Sequence, residues 1–180
     1  MYIALIIIGA LILLLVLIYN GLVKKRNKVK NSWSQIDVQL KRRFDLIPNL
    51  VQTVKGYAAH ESSTFELVTS ARTKYLSATT PEDMMKANGE LTSVLGRLFA
   101  VAEAYPDLKA NTNFLELQQS LGKTEDKISF ARQFYNDVAM EYNNTVQMFP
   151  SSIVASLFGF KAEPFFSTDE AEKAAPQVQF

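Results

Sequence analysis

"QLKRRFDLIPNLVQTVKGYAAHE", residues Gln39–Glu61, places a proline inside an otherwise helical pattern. Around it the apolar residues run Val29, Trp33, Ile36, Leu40, Phe44, Ile47, Val51, Val54 and Ala58. Every step is three or four, the period of an α-helix face. Val29, Leu40 and Val51 also recur at intervals of eleven, as do Ile36, Ile47 and Ala58. That period suits a nearly straight or slightly right-handed helix. Pro48 removes one backbone donor, and its ring meets the carbonyl of Phe44. Because the stripe keeps its phase across the proline, the pattern predicts a kink or a very short break, with helix resuming to about Leu76.

Toward the N-terminus the pattern runs into "MYIALIIIGALILLLVLIYNGLV", Met1 to Val23, which holds no charged side chain. A helix rises about 1.5 Å per residue, so roughly 20 such residues cross a hydrocarbon core of about 30 Å. Ile3, Ile8, Leu13 and Leu17 mark the expected span. A cleaved signal peptide would carry a basic start and a small-residue cleavage site, and neither is present. No Gly/Pro linker follows, so the span is expected to continue directly into the first soluble helix. The five cations Lys24, Lys25, Arg26, Lys28 and Lys30 come next. They are expected to meet anionic lipid headgroups. Their position after the span predicts a short N-terminus outside and a cytoplasmic C-terminal domain.

Without those cations the chain keeps 14 basic and 18 acidic residues, a balance of −4. A nucleic-acid binder would show a basic patch instead. The chain has no cysteine, which excludes disulfides, thiolate metal sites and thiol catalysis.

Toward the C-terminus, "TTPEDMM" reads as a helix start, with Thr80 as cap, Pro81 in the first turn and two acids favoured by the dipole. Met84, Leu91, Leu95, Leu98 and Ala102 form its expected buried face, ending near Tyr105. An Asn or Thr of "YPDLKANTN" then caps the last long helix. There Phe114, Leu121, Ile128, Tyr135, Tyr142 and Phe149 recur every seven residues, a coiled-coil-like stripe. A short amphipathic turn, "SSIVASLFGF", precedes a tail that reads as an extended arm.

The predicted fold is all-α: an N-terminal transmembrane helix continuing into a long-helix antiparallel bundle. Residues 1–23 form the anchor, 24–30 a basic juxtamembrane segment, 31–149 the bundle, and 150–180 the amphipathic turn and aromatic arm.

Candidate chemistry is sparse. "HESST" at His60–Thr64 has threonine where a zincin helix needs its second imidazole. His60 is the only histidine, so di-iron bundle patterns fail too. A metal-dependent or other hydrolase using His60, Glu61 and nearby carboxylates is the alternative reading, while the preferred one needs no cofactor. On a helical wheel centred on Leu40, Arg43 lies about 60° away, between the main stripe and a second apolar strip of Leu46, Leu50 and Tyr57. A guanidinium so flanked calls for a carboxylate on another helix or another subunit. Asp37, Lys41 and Asp45 fall on a wetter side. Phe158, Phe160, Phe165 and Phe166 make the C-terminus too apolar for a free tail, so it either folds back on its own bundle or docks on a neighbour, with a role at the membrane surface as a third, weaker option. Arg43, Leu46, Pro48, Leu50, Tyr57 and these phenylalanines are the candidate interface for a homo-oligomer or partner.

The runs "YNGLVKKRNKVKNSWSQIDVQLKRRFDLIPNLVQTVKGYAAHE", "ARTKY", "YNNTVQMFPSSIVASLFGFKAEPFF" and "PQVQF" resemble the LemA family over nearly the whole chain. The resemblance implies a bacterial single-pass protein of the cell membrane with a helical soluble part and no enzymatic activity. It also suggests a membrane protease of the HtpX type as a partner. Together these readings point to a membrane-anchored scaffold that self-associates, binds no nucleic acid, and serves membrane protein quality control.

Overall fold

The computed structural model describes residues 2–58 and 60–166. The closing "PQVQF" and the rest of the tail lie outside the described residues. The chain is all-α, with no strand among the described residues. Its helices are α1 (Tyr2–Lys55), α2 (Ser62–Ser77), α3 (Pro81–Glu103), α4 (Pro106–Lys109), α5 (Thr112–Gln147) and α6 (Ser151–Leu157). The apolar N-terminal run and the first soluble helix are one uninterrupted helix, as the missing linker implied, and Pro48 lies inside it.

That helix ends sooner than its periodicity suggests: at Lys55, not near Leu76. Gly56, a weak helix former, comes next. The Tyr57 and Ala58 amides both bond back to the Val54 carbonyl, at 3.0 and 2.9 Å, closing the last turn. The apolar pattern reads through this point because Ala58, in the turn itself, is also buried.

Contacts divide the described chain into two units, residues 2–35 with 131–166, and residues 36–130. The second unit is a four-helix bundle. α1 supplies Ile36, Leu40, Phe44, Ile47, Leu50 and Val54 to its core. α2 runs back along α1, with the Phe44 and Tyr75 rings stacked at 3.9 Å. The Thr80 hydroxyl accepts from the Asp83 amide at 3.1 Å and starts α3 as expected. α3 buries Ala87, Asn88, Leu91, Leu95, Leu98 and Ala102, while Met84 is only half-buried. Asn111 caps α5 by accepting from the Phe114 amide at 3.0 Å. Phe114, Leu121 and Ile128 of the seven-residue stripe are buried here.

The first unit pairs the N-terminal part of α1 with the C-terminal part of α5, α6 and the extended segment after it. Tyr135 and Tyr142 continue the buried stripe, but Phe149 leaves it and is exposed. The stripe ends there because α5 itself stops at Gln147. The segment 150–166, read from sequence as part of an amphipathic turn and aromatic arm, packs within this unit.

Candidate functional site

The first unit carries the apolar N-terminal run of the chain. Residues 2–17 of α1, including Ile3, Ile8, Leu13 and Leu17, are exposed apolar side chains. Their composition and length suit a membrane span. Burial begins near the end of the run, at Leu22. Tyr19 meets the edges of Phe158 and Phe160 at 4.8 and 5.6 Å. The Arg26 guanidinium lies 4.9 Å over the Phe160 ring, a cation–π contact.

The basic cluster splits between uses. Lys25 and Lys28 pair with Glu141 at 3.3 and 3.2 Å, and Lys25 also donates to the Thr145 hydroxyl at 2.8 Å. Hydrogen bonds from Lys28 and then Lys25 hold the Glu141 carboxyl below its usual range. Lys24 and Lys30 are exposed.

The C-terminal segment is strapped to α5 by two asparagines. Asn143 donates to the Glu163 carbonyl and accepts from the Glu163 amide, both at 2.8 Å. Asn136 does the same with Phe166, both at 2.9 Å. A primary amide offers one donor and one acceptor side by side, so it pairs with a backbone residue as a strand would. The spacings match. Seven residues of helix rise about 10.5 Å, and three residues of extended chain span about 10 Å. Tyr135 adds a bond to the Pro164 carbonyl at 3.2 Å, and Phe166 packs on Trp33 and Tyr135 at 5.5 and 4.6 Å. Of the fates left open for the aromatic segment, residues 158–166 show folding back on their own chain, while Phe158 and Phe165 keep exposed surface. Neither asparagine stands out in the sequence; the interval of seven between them was the available signal. Burial pushes the Tyr142 hydroxyl up, with the Glu163 charge adding to it and Arg26 opposing.

Among the described residues of the second unit, Arg43 centres a buried ionic cluster. Arg43, 3% exposed, pairs with Glu125 of α5. It also donates to the Asn88 side chain and, at 3.0 Å, to the Thr92 hydroxyl. The carboxylate that the wheel position called for is thus on another helix of the same chain. Burial pulls the guanidinium pKa down and Glu125 pulls it up, but an arginine stays charged. Its Nη1 nitrogen meets partners on both α3 and α5, which ties those helices to α1 in this unit.

The remaining candidate residues are dispersed. Leu50 is buried, Leu46 half-buried, and Pro48, Tyr57, Phe158 and Phe165 exposed. Tyr57 accepts from the Asn111 side chain at 3.0 Å. Arg43, Leu50 and Phe160, buried in their own units, present little surface to a partner. His60 is exposed and Glu61 half-buried. Among the described residues no group of three His, Cys, Asp or Glu side chains is placed to hold a metal ion.

The LemA family model matches residues 32–180. Magnetosome proteins MamQ 1 and MamQ 2 of Paramagnetospirillum magneticum are each 28% identical over 197 residues, covering 95% of this chain and 72% of theirs. Protein LemA of Metamycoplasma hominis is 27% identical over 158 residues, covering 86% of this chain and 71% of that protein. A helical bundle entered by an apolar helix, and a match across most of its length, agree: the chain belongs to the LemA family.

Proposed function

We propose that this chain is a non-enzymatic scaffold of the bacterial cell membrane, anchored by α1, that self-associates and recruits other membrane or envelope proteins. The supporting observation is where its apolar surplus lies. In the four-helix unit the buried polar groups hold helices together, as Arg43 does with Glu125, Asn88 and Thr92. Meanwhile Val38, Leu76 and Phe130 stay in water, Phe130 with 71% of its surface exposed. Exposed apolar side chains mark a contact with another protein where they share one patch, and the cross-linking below tests each of the three for such a contact. The cations after the apolar run favour an N-out orientation with the bundle in the cytoplasm. An HtpX-type membrane protease, and so membrane protein quality control, is the partner class that fits a scaffold held at that surface.

Because the chain has no native cysteine, each introduced thiol is unique. Phe130→Cys treated with a bifunctional thiol cross-linker in native membranes is expected to give a covalent dimer. Ser93→Cys, at an exposed polar position, serves as the control. Failure at Phe130, Val38 and Leu76 alike would remove self-association from the reading.

A further inference from the structure

We infer that α6 and its flanks form a second membrane contact, lying in the headgroup–acyl boundary beside the end of the α1 span. The inference rests on α1 crossing the membrane, and it concerns the first unit alone. Its starting point is depth. Lys24 marks where α1 leaves its uncharged run. Tyr19, five residues earlier, sits about 7.5 Å further along the axis. The headgroup layer on each side of a bilayer is about 5–7 Å thick. Tyr19 therefore lies where that layer meets hydrocarbon, the usual place for interfacial aromatics. Phe158 and Phe160 touch Tyr19 at 4.8 and 5.6 Å, so the C-terminal end of α6 lies at the same depth.

The second argument is the character of what faces outward there. α6 turns Val154 and Ala155 into the unit. Its other side presents Ile153 and Leu157, one turn apart and 62% and 70% exposed. Just before it, Phe149 is 81% exposed. Ile153 and Leu157 thus put apolar surface on the side away from the unit, beside the exposed Ser156, and a non-aqueous neighbour there would cover it. From Tyr142 to Phe160 there is no charged side chain, so no charge in this segment opposes entry into the polar headgroup–acyl boundary. The exposed cations Lys24 and Lys30 lie on the same unit and suit anionic headgroups. Lipid is the occupant that this continuity with the span selects.

Nitroxide labels on single cysteines can read this in the full chain, reconstituted in vesicles of phosphatidylcholine and phosphatidylglycerol. Labels at Ile153→Cys and Leu157→Cys are expected to collide more often with oxygen than with a water-soluble nickel chelate, as Leu17→Cys does in the span. Ser93→Cys should show the reverse. If the labels on α6 behave like Ser93→Cys while Leu17→Cys stays protected, the second contact is wrong and the span stands. If Leu17→Cys is itself open to the chelate, the span reading fails and takes the inference with it. Protection on α6 that disappears when protein is diluted into excess lipid would identify a second copy as the occupant and overturn the assignment to lipid.

Discussion

Replacing Glu125 by glutamine removes the charged partner observed for the buried Arg43 guanidinium among the described residues. Arg43 would keep Asn88 and Thr92 as acceptors, but no counter-charge. Breaking a buried ion pair from one side costs about 3–5 kcal/mol. The Glu125 side chain is 35% exposed, so water reaches one side of the pair and the lower end, about 3 kcal/mol, applies. Arg43→Met keeps most of the apolar stem and frees Glu125 to turn toward water, at about 1–2 kcal/mol. The double variant leaves no stranded charge, so it should be more stable than the sum of the single effects allows, by about 1–2 kcal/mol. A 150–250-residue domain loses roughly 2–4 °C of Tm per kcal/mol, which puts Glu125→Gln about 6–12 °C below the parent. Thermal melts of the full chain in mild detergent, followed by far-UV circular dichroism, would measure all four proteins. Single effects that add to within about 0.5 kcal/mol would refute the claim that the pair acts as a unit.

Asn143→Ala should strip two hydrogen bonds from Glu163, about 2 kcal/mol of local stabilisation, and hydrogen exchange should show protection lost at residues 160–166 with α2 and α3 unaffected. Tyr75 is held near pKa 12, against an ordinary 10.0, first by burial, then by the Asp37 charge and hydrogen bond, and last by Asp45. Its contribution is complete below pH 10 and is lost as pH rises toward 12, because only the unfolded chain ionises easily there; Tyr75→Phe should flatten the fall in Tm across that window. A cysteine at the exposed position Ser63 should resist a membrane-impermeant thiol reagent in intact cells, and rapid labelling there would place the bundle outside.

Local signals carried much of this fold into the sequence. The continuity of α1 was legible because nothing between Val23 and Lys30 breaks a helix, and the α3 cap because Thr-Pro-Glu-Asp is a compact chemical device. Most of the buried faces of α1 and α5 followed from spacing, although Trp33 and Val51 are only half-buried and Phe149 is exposed. The need of Arg43 for a carboxylate was readable, but its identity was not, since Glu125 is 82 positions away and only packing joins them. The end of α1 was missed because the buried Ala58 keeps the apolar phase running through a turn. The choice between a docking tail and a folded-back one also lay beyond periodicity. It depends on Asn136 and Asn143 meeting Glu163 and Phe166, a match between helical rise and extended chain.

Self-association of the anchored chain is tested most directly by the protein mass of the full chain in detergent, measured by light scattering over a dilution series. The account predicts a discrete multiple of the 20.2 kDa chain that persists on dilution. A mass of one chain at every concentration would contradict it.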